Sequence, residues 1–427
     1  MKKALLSNRE SQSAPELLTG PREVDIKMGA MTMHEAVRVA GSNRARYLDL
    51  LSRLLLSNSV GSNGFASGDE LQTLSEWDAD EVSRFLAFAD LHHVLVRGVE
   101  ALQTLIAGNI GARSSNPQMS DPDRLSGHHL PDLHLSDHHL SDQCAAALLQ
   151  EQRRIRQALR VLEAVCDALE SAGCSAIVIK SLDHWPDIGS DLDLYTESRE
   201  EQVIGILQER FAAEVLARSW GDRLAHKWNF KLPGLPEAIE VHVGCLGQTG
   251  EHLDLAYRVA RRAIPRTVAS HTFRVPATEE RVLITTLQRM YRHFYCRLCD
   301  IVDTTKLIQS QELDYVLLRS AAESCGIWPG VAAYLNTVAD YARGYGVDLE
   351  LPAGVISSAS QEHALQLRGD FLRISIVPKA AGLFFRQVVD AGAQRNLRTV
   401  SRLSLLPGLA AAAFVAHKIT GNDKGIW

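Results

Sequence analysis

Between residues 176 and 243 the chain carries four apolar runs of strand length, set among long stretches whose apolar residues recur every three or four positions. Ala176 to Ile179 is apolar throughout, as a strand buried on both faces requires. A turn-rich loop with Asp183, Pro186, Asp187 and Gly189 leads to a second run, Leu192 to Tyr195. Trp228 to Leu232 and Ala238 to Val243 flank a segment with two prolines and a glycine and read as a hairpin. Glu200 to Phe211, between the second and third runs, has a helical period. The pattern predicts an α+β chain, with a small mixed sheet and helical regions on either side of it.

The flanks divide by composition. Residues 1–30 are polar and Ser-rich and read as a loose arm. Residues 31–108 are helical, with Tyr47, Leu48, Leu51, Leu54 and Leu55, then Phe85, Phe88, Leu91, Leu95 and Val99 at helical spacing, and Gly61, Gly64 and Gly68 marking a turn. In 109–142, His128, His129, His134, His138 and His139 stand among Ser, Asp and Pro. Such a segment buries too little apolar surface to fix a metal site and reads as a flexible insertion. The sheet-bearing core, 143–275, opens with a helix from Cys144 to Gly173, which carries Leu148, Ile155, Leu159, Leu162, Val165 and Leu169 on one face. Residues 276–350 and 351–427 are again helical, the first opening on an amphipathic run, or a pair of runs, over Glu279 to Ile308.

Several classes are excluded or disfavoured. Lys and Arg total 45 against 51 Asp and Glu, so the net charge of −6 offers no global field for a long nucleic acid. Seven scattered Cys fit reduced thiols in a cytoplasmic protein better than a disulfide framework. The N-terminal apolar run is too short for a signal-peptide core, and Leu403 to Ala416 is broken by Pro407 and Gly408 and shorter than the roughly 20 residues of a spanning helix. No transmembrane segment is therefore expected, and the C-terminal stretch reads as a buried or partner-docking helix. Cys296 and Cys299 fall in a helical pattern without a second Cys pair and read as small packing residues. Arg292, His293, Arg297, Asp300 and Asp303, at spacings of three and four, read as a solvated ion-pair face, and His92 and His93 as core packing.

The chemistry concentrates in residues 189–195, Gly-Ser-Asp-Leu-Asp-Leu-Tyr. On a strand, Asp191 and Asp193 share one face while Leu192 and Leu194 enter the core, so two carboxylates form one ligand edge. That edge suits Mg²⁺, a hard cation that takes carboxylates together with triphosphate oxygens. Glu240 lies between Ile239 and Val241, with Ala238 and His242 on its own face; an acid in such a strand needs a partner or a cation to offset its desolvation. Gly189 and Ser190 permit a close approach at the strand start, and the Ser181 hydroxyl or the loop amides suit phosphate oxygens. Asp183, His184 and Asp187 occupy the loop over this region.

Lys180-Ser181, nine intervening residues, Asp191-x-Asp193 and then a lone acid in an apolar strand resemble the nucleotidyltransferase superfamily. More narrowly they resemble its uncharacterised bacterial nucleotidyltransferase-like family, which has Lys-Gly before Asp-x-Asp-Leu and a later acid-apolar-His run. The resemblance spans roughly residues 45–310 and extends to Leu91–Leu95 and Arg292–Ile308. It implies a nucleotidyltransferase-type sheet and a metal site of Asp191, Asp193 and Glu240 for Mg²⁺ or Mn²⁺. It also implies an NTP bound near Lys180, Ser181, Gly189, Ser190 and His242, with nucleotide transfer to an acceptor the sequence does not name. One departure stands out: Lys180-Ser181 replaces the superfamily's Gly-Ser or Gly-Gly. It motivates the alternative of an inactive nucleotide-binding or regulatory protein of the same fold. A glycosyltransferase holding a nucleotide sugar on Asp-x-Asp is disfavoured by the lack of a Rossmann-like series of strands before Asp191.

Overall fold

The computed structural model describes residues 33–56, 74, 76–114, 133–358, 365–374 and 379–420. The arm, the Gly61–Gly68 turn, His128 and His129 lie outside the described residues. Residues up to Ser42 form a unit of their own, and the account below concerns Asn43 onward.

The architecture is α+β, with a five-stranded mixed sheet between helical regions. Its strands are β1 (Ile177–Val178), β2 (Asp191–Thr196), β3 (Glu214–Val215), β4 (Lys227–Lys231) and β5 (Ala238–Val243), in the order β1-β2-β5-β4-β3. The expected hairpin is present as antiparallel β4 and β5, whereas β2 and β5 run parallel, joined through the helix Glu200–Phe211 and the β3–β4 pair. Register places Asp193 opposite Glu240 and Asp191 opposite Ala238. Because side chains alternate, Leu192, Leu194, Ile239, Val241 and Phe230 all fall on one face. That face packs on Ile155, Leu159, Leu162, Val165 and Leu169 of the helix Leu133–Ser171. Each such side chain contributes roughly 1.5–3 kcal/mol on burial, so a one-residue slip of β2, which would exchange Leu192 and Leu194 for Asp191 and Asp193, is strongly opposed. The helix begins at Leu133, earlier than the Cys144 that its apolar period marks. A further hairpin, β6 (Ile264–Val268) with β7 (His271–Val275), adds Val268, Phe273 and Val275 to the same core.

The opposite face meets a second, helical core that includes Ile177, Ile179 and Tyr195 of the sheet region together with Leu51, Phe85, Val99, Val302 and Tyr334. Here the structure adds detail to the one or two helical runs expected over Glu279 to Ile308. Thr278–Thr286 is α-helical, Leu287–His293 widens into a π-helix, Phe294 turns left-handed, and Tyr295–Cys296 forms β8. β8 pairs with β10 (Phe371–Arg373), which in turn pairs with β9 (Gln366–Arg368), before the helix Leu298–Gln309 begins. Cys296 therefore lies on a strand and Cys299 in the first turn of a helix. The expected solvated ion-pair face is not solvated: Arg292, His293, Arg297 and Asp303 are partly buried, and Asp300, 2% exposed, pairs at 2.7 Å with Arg289, which is equally buried. Arg97 holds both Asp187 and Asp303. Charged residues at helical spacing turned inward because their partners come from other elements.

The C-terminal tail forms helices Lys379–Ala393, Leu397–Leu403 and Leu406–Thr420. Thr399 donates to the Glu251 carbonyl at 3.0 Å, and Arg402 donates to the Leu224 and Thr249 carbonyls. The expectation of a buried helix is not met: Phe385, Leu397, Phe414, Val415 and Ile419 are exposed. Leu397–Ala416 is the one described stretch long and apolar enough to cross a membrane by length and composition, and only 17% of it is buried.

Candidate functional site

The face opposite the sheet core gathers the acids. Asp193 and Glu240 are register partners on parallel strands, His242 follows two residues on, and Lys227 of β4 stands opposite His242. Asp193, Glu240 and His242 each bring a ligand atom within 4.8 Å of the others. Asp191 opens β2 and is exposed.

Two lysines neutralise these acids. Lys180, immediately after β1, reaches Asp193 in an ion pair and lies 3.7 Å from Glu240. Lys227 lies 3.0 Å from the other Glu240 oxygen and 2.8 Å from Asp222. His242 Nε2 completes the arrangement at 2.8 Å from Glu240 and 3.9 Å from Asp193. Its Nδ1 is buried without a hydrogen-bond partner among the described residues. Burial alone would push Glu240 up, but Lys180, His242 and Lys227 hold it well below the usual carboxylate range. Asp191 moves the other way, raised by desolvation and by the charges of Asp193 and Glu240.

Lys180 occupies the left-handed region, with φ of +68°. This is a conformation that favours glycine, held here by a lysine at a cost of about 1 kcal/mol. Two carboxylates on its ammonium offset that cost. Ser181 is turned inward: its hydroxyl accepts from the Asp193 amide at 2.7 Å and donates to the Asp191 carbonyl at 3.3 Å. It thus fastens the loop to β2. Ser190 is exposed beside Asp191. Gly189 faces away from the acids, toward His93; a Cβ there would come 3.0 Å from the His93 ring. Of the sequence-predicted residues, Asp193, Glu240, His242 and Lys180 thus converge, Asp191 stands at the exposed start of the same strand outside that group of ligand atoms, and Ser181 and Gly189 serve the loop itself.

The loop from Lys180 to Asp191 is pinned along its length. Asp183 accepts from Arg281 at 2.6 Å, and His184 Nδ1 lies 2.7 Å from Asp303. Asp187 accepts from Arg97 at 2.9 Å and from the Val96 amide at 2.7 Å. These three residues hold the loop rather than overhang the acids.

Sequence reasoning missed Lys227 and Asp222, and with them a cavity of about 310 Å³. Lys180 and His242 line it together with apolar Leu246, Leu255, Ile284 and Phe384. The Lys-x-Asn-x-Lys alternation of β4 was the available signal for Lys227, since it puts Lys227 opposite His242 and Asn229 opposite Glu240, on the face of the hairpin that carries the acid. For the cavity there was none, because its walls come from distant helices.

No family model and no curated protein matches the chain. Among solved structures, the crystal structure of an antigenic nucleotidyltransferase-like protein from Paracoccidioides brasiliensis aligns with 46% of this chain and 95% of its own, at 15% identity and a TM-score of 0.29. At that level of similarity the match carries no argument, and the functional reading rests on the residues of this chain.

Proposed function

We propose that the chain is a Mg²⁺-dependent nucleotidyltransferase, with Mn²⁺ as the substitute ion, acting on an acceptor with an apolar body. The observation that carries this reading is the in-register pair Asp193 and Glu240 on adjacent parallel strands, with Asp191 at the mouth and a lysine between them. The donor set fits a hard cation: three carboxylates of which one, Asp191, pairs with no described cation and is destabilised by its neighbours' charge. Asp191, Asp193 and Glu240 would hold the ion, which supplies charge stabilisation at the α-phosphorus and at the acceptor oxygen. Lys180, released from Asp193 and Glu240 in that state, is within reach of triphosphate oxygens. Lys227 and His242 keep Glu240 ionised and oriented. Glu240, held far below its ordinary range, is a weak base. The apolar cavity beside Lys180 and His242 excludes water and accommodates the acceptor.

A second reading has its own support. Lys180 and Lys227 already neutralise Asp193 and Glu240, as in a site that keeps the fold but needs no metal. Calorimetric titration with ATP, GTP, CTP and UTP, with and without Mg²⁺, followed by pyrophosphate release with hydroxyl-bearing apolar acceptors, separates the two. Metal-dependent binding and pyrophosphate release, both lost in Asp191→Asn/Asp193→Asn, support the transferase. Nucleotide binding without turnover favours the second reading, and failure to bind any nucleotide rejects both.

A further inference from the structure

On the far side of the same loop, three segments bring together a different set of donors. His93 ends the turn after the helix Ala79–Leu91, His184 sits in the Lys180–Asp191 loop, and Cys299 lies in the first turn of the helix Leu298–Gln309. One ligand atom from each lies within 4.8 Å of the others. The two imidazoles meet edge to face, with ring centroids 5.8 Å apart.

Their polar atoms are left open in a particular way. His93 Nδ1 is buried without a hydrogen-bond partner among the described residues, and so is Asp300 Oδ1, one position beyond Cys299. That Asp300 oxygen lies 4.0 Å from His184 Nε2. His184 Nδ1, in contrast, is fixed by the Asp303 carboxylate at 2.7 Å, which is itself held by Arg97. A carboxylate on one imidazole nitrogen, with the other aimed at further donors, is the arrangement that orients a metal-bound histidine. An unsatisfied buried acceptor costs about 1–3 kcal/mol, and two of them beside a thiol in one place call for a common partner. Gly189 belongs to the same construction, since a side chain there would press on the His93 ring.

We propose that His93, His184 and Cys299 form a zinc site, with Asp300 Oδ1 as the fourth ligand. Two imidazoles, a thiolate and a carboxylate are the nitrogen, sulfur and oxygen donors that Zn²⁺ takes. Tetrahedral zinc has ligand-to-ligand edges of roughly 3.3–3.7 Å, so the His93, His184 and Cys299 ligand atoms, all within 4.8 Å of one another, close by up to about 1 Å on binding, and Asp300 Oδ1, 4.0 Å from His184 Nε2 but outside that group of three, moves in to join them. The nearby cations have other partners. Arg289 is drawn onto Asp300 Oδ2, Arg97 is held by Asp187 and Asp303, and Arg297, whose charge reaches His93, lies over the Tyr295 and Phe371 rings. Binding releases the Cys299 proton to solvent as the Zn–S bond forms. With protein ligands from three segments and no open position, the ion is structural: it ties the loop carrying Lys180 and Asp191 to the helical core.

The test uses the full chain without a histidine tag, purified without chelator. Elemental analysis is expected to find about one zinc per chain, unchanged in Cys296→Ala, whose thiol lies outside the cluster, and lost in Cys299→Ala. Titrating the metal-stripped wild type with Co²⁺ is expected to give a thiolate-to-cobalt charge-transfer band, so the proposal does not depend on any variant folding. Wild-type protein without zinc and without a Co²⁺ band overturns it, as does zinc lost equally from Cys296→Ala.

Discussion

The loop from Lys180 to Asp191 separates two clusters of metal-capable side chains that differ in what surrounds their donors. Around Asp193 and Glu240 charge is already balanced: each carboxylate meets a lysine, and His242 donates to Glu240. Around His93, His184 and Cys299 the ring nitrogen and the carboxylate oxygen that face inward have no hydrogen-bond partner among the described residues. The first arrangement suits a site that exchanges its cations during work, a lysine standing where an ion and a phosphate come and go. The second suits a cation that stays. A buried pair balanced by lysine survives without metal, whereas unpartnered buried donors are a standing cost until something fills them.

The sharpest way to break this comparison is to remove a balanced carboxylate. Glu240→Gln leaves Lys227 and Lys180 short of a counter-charge in a buried place, and is expected to cost about 3–5 kcal/mol, read as a lowered denaturant midpoint. Asp193→Asn, which keeps the shape, is expected to reduce pyrophosphate release by roughly 10²–10³-fold or more. If Asp193→Asn left turnover intact, the acids would be a structural network only. At the other cluster, Asp303→Asn keeps the shape of the orienting partner of His184 but takes its charge from both His184 and Arg97, which retains Asp187. It is expected to weaken zinc binding by about 10–100-fold without abolishing it, measured by competition with a chelator.

The contrast also explains what could be read from the sequence. Strand alternation gave the β4–β5 hairpin, the shared face of Asp191 and Asp193, and the pairing of Glu240 with His242, because those facts follow from period two within one element. The parallel pairing of β2 with β5 lay outside what period two shows, since register between distant strands is a tertiary fact. Lys180 was legible as a phosphate-binding candidate but not as the partner of Asp193, and Lys227 was not singled out, because the partner of a buried charge comes from another strand. His93, His184 and Cys299 are separated by about 90 and 115 residues of chain, and each alone matches an ordinary core or loop residue. The helical period over Glu279 to Ile308 concealed the π-helix and β8, where the chain leaves the α-helix and places Cys299 at a helix start beside His184.

A milder perturbation reaches the second cluster from the first. Gly189→Ala puts a methyl group 3.0 Å from the His93 ring. Moving the ring by a few tenths of an ångström is expected to cost about 1 kcal/mol, at the low end of overpacking, and to lower zinc occupancy while leaving Asp193 and Glu240 paired. If zinc content held while nucleotide binding fell, Gly189 would belong to the phosphate site instead.

The smallest effect distinguishes the acids from one another through pH. Glu240, depressed far below its ordinary value of 4.5, contributes stability that is present at neutral pH and lost only as pH falls through its low folded value. Asp191 has the opposite sign. Its folded value is raised above 3.8, so the favourable contribution of its neutral form is complete below that point and is lost as pH rises through the raised value. At pH 7 the ionised Asp191 therefore opposes folding through its repulsion by Asp193 and Glu240, although solvent screens an exposed carboxylate and keeps the effect well under about 1 kcal/mol. Asp191→Asn is expected to raise the metal-free Tm by about 1 °C at pH 7 and to leave it unchanged below pH 3.8. Added Mg²⁺ should stabilise the wild type more than this variant, since the ion relieves a repulsion the variant no longer has. A Tm that falls on Asp191→Asn, or Mg²⁺ stabilisation equal in both proteins, would mean that Asp191 is not part of the cation-binding edge.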